Sequence, residues 1–462
     1  MKKGKKVLII GLDCAAPELI FERWSDDMPA LRKLMENGIY GRLKSTIPPI
    51  TCPAWTSMMT SKDPGTLGVY GFRNRGNYSY DNLKFVNSRM VVDDTLWDIL
   101  LREGKQSIVV GVPQTYPPKP INGNMITCFL TPGPNSQYTY PLSLKGEIEN
   151  LVGEYSFDVA SFRTDDKDFL IRQIYEMTEK RFKVHKWLMK DKEWDFFIFV
   201  EMGIDRIHHG LWKYFDKGHR KYSPGSKYEN AIRDYYIYMD RKINELLSIV
   251  DEDTVVMVVS DHGAQKMDGG ICINEWLIRE GYLKLKEKPD GIIPFSKAKV
   301  DWGNTCAWSE GGYYARVFLN VKGREPNGVI EKGDYDKVRD ELKERIEGIV
   351  DENGINIDTK VYKPEEIYSK TNRISPDLIV HFGDLSWRSI GSIGHNSIHL
   401  FENDTGPDDA NHAQHGIFII NNMGNRNDGA VSDKNILDIA PTVLDILDIS
   451  IPEDMQGRVI RT

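Results

Sequence analysis

The chain has 462 residues, with 60 basic and 68 acidic side chains and a formal net charge of −8. Its hydrophobic share of 40% and charged share of 28% are those of a globular chain, and they exclude collagen-like, mucin-like and largely disordered sequences. The acidic balance, with a sequence pI near 5.8, argues against a nucleic-acid polymer as main partner, because phosphate-backbone binding needs a basic face. A small phosphorylated substrate stays compatible with it if something local supplies positive charge.

The first element follows a basic start. Residues 7–10 form a short apolar run that reads as a strand. The run through Leu12 is too short for the apolar region of a signal peptide, and no small-residue cleavage site follows it. No apolar stretch reaches the roughly 18 residues of a membrane span. The five cysteines, Cys14, Cys52, Cys128, Cys272 and Cys306, are odd in number and form no CxxC. They make neither a disulfide framework nor a thiolate zinc site. Reduced thiols in a cytoplasmic protein are the expectation.

Similar apolar runs stand at residues 107–112, 196–200, 255–259, 378–382 and 416–420, and all read as buried parallel strands. Amphipathic stretches at 28–37 and 168–189 lie between them. The alternation predicts an α/β fold, a mostly parallel sheet sandwiched by helices. Ligands of such sheets bind at the carboxyl ends of the strands. Residues 281–372, dense in Lys and Glu, are expected to form an inserted smaller subdomain or cap, leaving 1–280 plus 373–462 as the core. Residues 64–80 and 113–141 are rich in Gly, Pro, Asn and Tyr and read as long loops.

Three strands are followed by groups of chemical interest. Gly11-Leu12-Asp13 follows the first, Asp205 with His208 and His209 follows the strand at 196–200, and Ser260-Asp261-His262-Gly263 follows the strand at 255–259. Asp13 alone reads as readily as a helix cap. An adjacent acid and imidazole, as in Asp261-His262, can face two sides of a metal. Asp205 shares a helical face with both His208 and His209, so spacing does not choose between them, and a surface ion pair is the plainer reading. His412 and His415 form a further pair. In the segment 47–64, Pro53 suits the first turn of a helix running to about Thr60. Thr51 then stands at or just before the cap, where backbone N–H groups make an anion site. Its hydroxyl either attacks a phosphorus atom there or only caps the helix. Cys52, the competing nucleophile, has no local histidine base. Carboxylates, histidines and one hydroxyl at one sheet edge fit a two-metal hydrolytic centre, with donors suited to zinc or manganese rather than calcium. Tyr70, Phe72, Arg73, Arg75, Trp302, Trp308, Tyr313, Trp387 and Arg388 are candidates for a pocket wall. The first strand carries no GxGxxG, so it is not a dinucleotide site.

Taken in order, Asp13, the Thr51 turn, Asp205-x3-His209, Asp261-His262-Gly263 and a late histidine resemble the alkaline phosphatase superfamily, and within it the type I phosphodiesterase/nucleotide pyrophosphatase family. The runs 438–444 and 452–458 are similar to the closing helix and tail of that superfamily. The resemblance implies an alkaline-phosphatase-like core and two divalent cations, zinc first and manganese second. One is held by Asp13, Thr51, Asp261 and His262, the other by Asp205, His209 and the late histidine. His412, four residues before Gly416-Ile417-Phe418, takes that role, with His415 as the alternative. The implied activity is metal-dependent hydrolysis of a small phosphoric ester, of phosphodiesterase or nucleotide pyrophosphatase type, through a covalent phospho-Thr51 and with no membrane involved. Position 54, where nucleotide pyrophosphatases carry an Asn against the phosphoryl group, is Ala54 here. The Cys-x-Pro-x-Arg signature of sulfatases is missing. Two rivals are a cofactor-independent phosphoglycerate mutase and a non-catalytic metal-dependent binder of phosphoryl ligands. The mutases usually carry a Ser nucleophile and a large insert soon after it. The binders tend to lose the nucleophile or a metal ligand.

Overall fold

The computed structural model describes residues 5–422 and 429–461. Ten strands form the central sheet: β1 (Val7–Leu12), β2 (Gly38–Lys44), β3 (Ser107–Val110), β4 (Gly123–Ile126), β5 (Thr139–Tyr140), β6 (Phe196–Glu201), β7 (Val255–Val259), β8 (His415–Asn421), β9 (Gly429–Ala430) and β10 (Lys434–Asn435). Their order across the sheet is β9-β2-β8-β7-β1-β6-β3-β4-β5, with β10 also paired to β2. The central strands β1, β6 and β7 are buried along their whole length. Covered on both faces, they read as continuous apolar runs. Leu12 pairs with Glu201 and Gly11 with Val259. That parallel register brings the exits of β1, β6 and β7 into line at Asp13, Met202 and Ser260.

Helices cover the sheet and carry part of the site: α1 (Pro29–Glu36), α2 (Thr51–Thr60), α3 (Lys167–Asp191), α4 (Gly203–Phe215), α5 (Ala231–Leu247) and α7 (Ile439–Ile446), while α6 (Tyr335–Glu347) packs with a second sheet. All ten residues of α2 are buried. Pro53 lies in its first turn, and Ser61 ends it in the left-handed region at φ 55°. The C-terminal tail fastens that end. Gln456 N–H donates to the Ser61 carbonyl at 2.8 Å and Gly457 N–H to Ser61 Oγ at 2.9 Å. Among the described residues no helix is long and apolar enough to cross a membrane.

Two of the six expected parallel strands run otherwise. The 416–420 run lies in β8, which is antiparallel to both β2 and β7. The 378–382 run, as Leu378–His381, lies outside the central sheet. It joins Ala307–Glu310, Ala315–Leu319 and Lys360–Tyr362 in an all-antiparallel sheet of four strands. A strand buried on both faces looks apolar whichever way its neighbours run, so composition alone does not give direction. The 113–141 segment, read as loop, supplies the short strands β4 and β5. A second apolar cluster, including Ile271, Trp308, Phe318, Leu342 and Trp387, packs beneath the four-stranded sheet and α6, and its members reach past both ends of the 281–372 segment.

Candidate metal and phosphoryl site

The aligned strand exits and two neighbouring elements bring all seven candidate site residues together. Asp13 follows β1, Asp261 and His262 follow β7, and Asp205 and His209 stand one turn apart on α4. Thr51 opens α2, and His412 comes from Ala410–Ala413, which pairs antiparallel with Gly263–Lys266. All seven are at most 3% exposed. Carboxylate and imidazole atoms of Asp13, Asp261 and His262 lie within 4.8 Å of one another, as do those of Asp205, His262 and His412. His209 Nε2 is 3.3 Å and His412 Nε2 is 3.8 Å from Asp205 Oδ1. Thr51 Oγ1 is 3.4 Å from His262 Nε2.

Outer partners set the direction in which each ring points. Nδ1 of His262 faces the Gly263 carbonyl at 3.1 Å, Nδ1 of His412 faces the Pro49 carbonyl at 2.9 Å, and Nδ1 of His209 faces Asp408 Oδ1 at 2.7 Å. Each Nδ1 therefore donates, and each Nε2 turns toward the shared space. Trp55 Nε1 donates to Asp13 Oδ2 at 2.8 Å, and Cys14 N–H donates to Asp261 Oδ1 at 3.3 Å. Cys14 makes that contact from the left-handed region at φ 66°. Arg206 donates to Asp205 Oδ2 and to both oxygens of Asp158.

What remains is a set of buried atoms with no hydrogen-bond partner, whose nearest polar neighbours are other members of the site: Asp13 Oδ1, Asp205 Oδ1, Asp261 Oδ2 and His209 Nε2. Buried carboxylate oxygens left unpaired are costly. These face one another across a space that cations would fill, and their chemistry fits divalent metals. The charges agree. Burial, then the nearby Asp205 charge, pushes Asp13 well above the ordinary carboxylate range, and burial with Asp13 does the same to Asp261. Burial works against Asp205 as well, but His209 and Arg206 outweigh it and hold this carboxyl well below its usual value. Burial lowers His262 to about 4. His412 is lowered too, by burial and by His262. Burial opposes a charge on His209, yet Asp408, Tyr313 and Asp205 raise it well above its ordinary value.

Packing separates the alternatives in space. His208 turns away, its Nε2 3.2 Å from the Tyr236 hydroxyl and its ring against Tyr236 and Trp212. His415 is half-buried, 3.7 Å from Asp433, and outside the group. Burial pushes the Cys52 thiol well above its ordinary value. A cavity of about 360 Å³ opens on Thr51, Asp205 and His412. Of the expected wall residues, Phe72, Arg73, Tyr313 and Arg388 line it. Tyr70, Trp302, Trp308 and Trp387 pack into apolar clusters instead, and Arg75 pairs with Glu325. Sequence reasoning missed Trp55, Arg163, Arg206 and Asp408. A signal for one of them existed: Arg206 adjoins Asp205.

The family model of type I phosphodiesterase/nucleotide pyrophosphatase matches residues 7–417. The chain belongs to this family. Members of the family are usually dependent on divalent metals, and the described residues include two candidate groups for holding them. Membership supports phosphodiesterase or nucleotide pyrophosphatase activity. GPI ethanolamine phosphate transferase 3 of Saccharomyces cerevisiae is 31% identical over 108 residues, 23% of this chain, and the match spans only 9% of that protein's length. Human ectonucleotide pyrophosphatase/phosphodiesterase 5 has a similar structure, with a TM-score of 0.55, 15% identity and 97% of each chain covered. Its murine counterpart, in an inactive threonine-to-alanine form in complex with AMP, gives a TM-score of 0.55 at 14% identity, again with 97% of each chain covered. These neighbours share the α/β fold with its large, mostly parallel central sheet.

Proposed function

We propose that this protein hydrolyses a small phosphodiester through a covalent phosphothreonine at Thr51, with zinc, or in second place manganese, in both metal positions. Asp13, Thr51, Asp261 and His262 hold one cation, and Asp205, His209 and His412 the other. The observation that carries this reading is the position of Thr51 Oγ1, at the N-terminus of α2 and 3.4 Å from His262 Nε2. When bound, the cations supply the positive charge that makes the Thr51 oxygen nucleophilic near neutral pH and that offsets charge on the phosphoryl oxygens.

The chain's own groups do the rest. The first N–H groups of α2 have no partner within the helix and favour an anion at its start. Thr51 Oγ attacks phosphorus in line. The Oγ–P bond forms, the ester P–O bond breaks, the Thr51 proton passes to solvent and the departing oxygen takes one up. Water then attacks phosphorus, the P–Oγ bond breaks, and Thr51 recovers its proton as a phosphate monoester leaves. The Nδ1 contacts of the three histidines hold their rings in place throughout, so little reorganisation accompanies the reaction.

The 281–372 segment acts as a cap in this reading, since Tyr313, Tyr314 and Arg316 line the cavity. The AMP bound by the murine neighbour supports a ligand of nucleotide size rather than a nucleic-acid polymer. Five free cysteines support action in the cytoplasm. The test is bis-p-nitrophenyl phosphate turnover by the zinc-loaded wild type and by Thr51→Ala, with mass spectrometry of acid-quenched enzyme. A p-nitrophenyl phosphate adduct on the peptide holding Thr51 is expected. Full turnover by Thr51→Ala sinks the mechanism.

A further inference from the structure

The cavity beside Thr51 holds more positive charge than one transferred phosphoryl group explains. Five arginines line it, Arg73, Arg163, Arg206, Arg316 and Arg388, against Asp158 and Asp205. Their pairing differs sharply. Arg206 is fully committed to Asp158 and Asp205. Arg163 Nε and an Arg388 terminal nitrogen each donate to Asp408 Oδ2 at 3.1 Å. Two guanidinium charges thus share one carboxylate, whose other oxygen already faces His209. Arg388 is 5% exposed, and its Nε is buried with no partner. Arg316 is 6% exposed and donates to the backbone carbonyl of Arg73. It has no carboxylate partner among the described residues.

A buried guanidinium without a counter-charge is costly. Its planar fork matches the geometry of carboxylate and phosphate oxygens. The Arg388 guanidinium lies 4.7 Å above the Tyr313 ring, and Arg163 donates to the Tyr313 hydroxyl at 3.0 Å, so the aromatic ring fixes both forks. Arg316 and Arg388 come from Ala315–Leu319 and Trp387–Ser389, strands outside the central sheet and apart from the helix that carries Thr51.

We propose, resting on the hydrolase reading above, that the substrate carries a second anionic group, a phosphate or a carboxylate, on one ester arm. Arg316 and Arg388, backed by Arg163, bind that group. The substrate is then an anionic phosphodiester with at least two charged centres, and the arginines set specificity rather than chemistry.

Three diesters with the same nitrophenolate leaving group test this on the zinc-loaded protein: p-nitrophenyl ethyl, 2-carboxyethyl and 2-phosphonoethyl phosphate. Charge-assisted contacts predict a kcat/KM for a charged arm about tenfold or more above that for the ethyl arm. The larger of the two charged ratios names the anion. In Arg316→Gln and Arg388→Gln the ratio falls toward one, and because it is taken within one variant it cancels any general loss of folded enzyme. A wild-type ratio near one, or a ratio that survives both substitutions, overturns the proposal. Calorimetry gives an arm free of turnover: propane-1,3-bisphosphonate binds the wild type about tenfold more tightly than propylphosphonate, and equal affinities overturn the proposal. Binding preference without hydrolysis of any diester sinks the hydrolase reading and keeps the anion cradle. Hydrolysis without preference does the reverse.

Discussion

Asp13 and Asp261 receive hydrogen bonds from neutral groups, the Trp55 indole and the Cys14 N–H, whereas Asp205 and His209 are held by charged ones, Arg206 and Asp408. The two halves use the same side-chain types, yet their ionisation moves in opposite directions. Burial raises Asp13 and Asp261, while His209 and Arg206 hold Asp205 down against the same burial. The first half is thus short of positive charge from the protein, a deficit that divalent cations would offset. The second is balanced by the protein itself, and through Asp408 it is wired to Arg163 and Arg388 on the cavity wall. A change of support in the first half stays local. A change in the second reaches both the centre and the cavity.

Thr51→Ala has the largest expected effect. Loss of a nucleophile costs about 10³-fold or more in kcat, and chelator competition will show whether the second cation still binds. Zinc addition to chelated wild type comes next. A ligand that binds only the folded chain at a hundredfold excess over Kd stabilises it by about 2.7 kcal/mol, read as a rise in Tm. No rise would mean that the unpaired carboxylate oxygens await something other than a divalent cation. Asp408→Asn then separates the halves. It withdraws the charge behind His209 and leaves Arg163 and Arg388 without their shared carboxylate. Metal affinity falls by about 10–100-fold, as for other supporting partners of ligating histidines, and KM for an anionic diester shifts as well. A loss below about twofold in this titration would contradict a charged support with that reach.

The same contrast governs what could be read from the sequence. Asp13 and Asp261-His262-Gly263 were legible because each lies at the end of an apolar strand, where the chain leaves the sheet and ligands bind. Thr51 was legible from Pro53 two residues on. Asp408 was not, because it meets His209 across 199 positions and only tertiary packing unites them. Arg206 adjoins a predicted residue, but its role depends on Asp158 coming back to meet it. The ambiguity between His208 and His209 was real at the level of helical period, and Tyr236 on α5 settles it by occupying His208. Strand direction failed at 378–382 and 416–420 for a related reason. A run of buried residues records that both faces are covered, and direction is fixed by connections that local patterning does not encode.

Trp55→Phe is the smallest change and the sharpest test of a neutral support. It removes the 2.8 Å hydrogen bond to Asp13 Oδ2 and leaves that oxygen buried beside its already unpaired partner. A hydrogen bond onto an ionised carboxylate contributes about 1.5 kcal/mol or more net, so metal affinity at the first half falls by about tenfold, at the lower end of the range for Asp408→Asn. The pH dependence carries the sign. The Trp55 bond works against the burial that raises Asp13, so losing it raises Asp13 further. Because Asp13 takes a cation only when ionised, the acid limb of the pH–rate profile moves to higher pH, and KM for a diester with a charged arm stays near the wild-type value. Movement of the limb to lower pH would show that the indole is not stabilising the carboxylate. A change in KM as large as that of Asp408→Asn would show that the first half is coupled to the arginine wall after all.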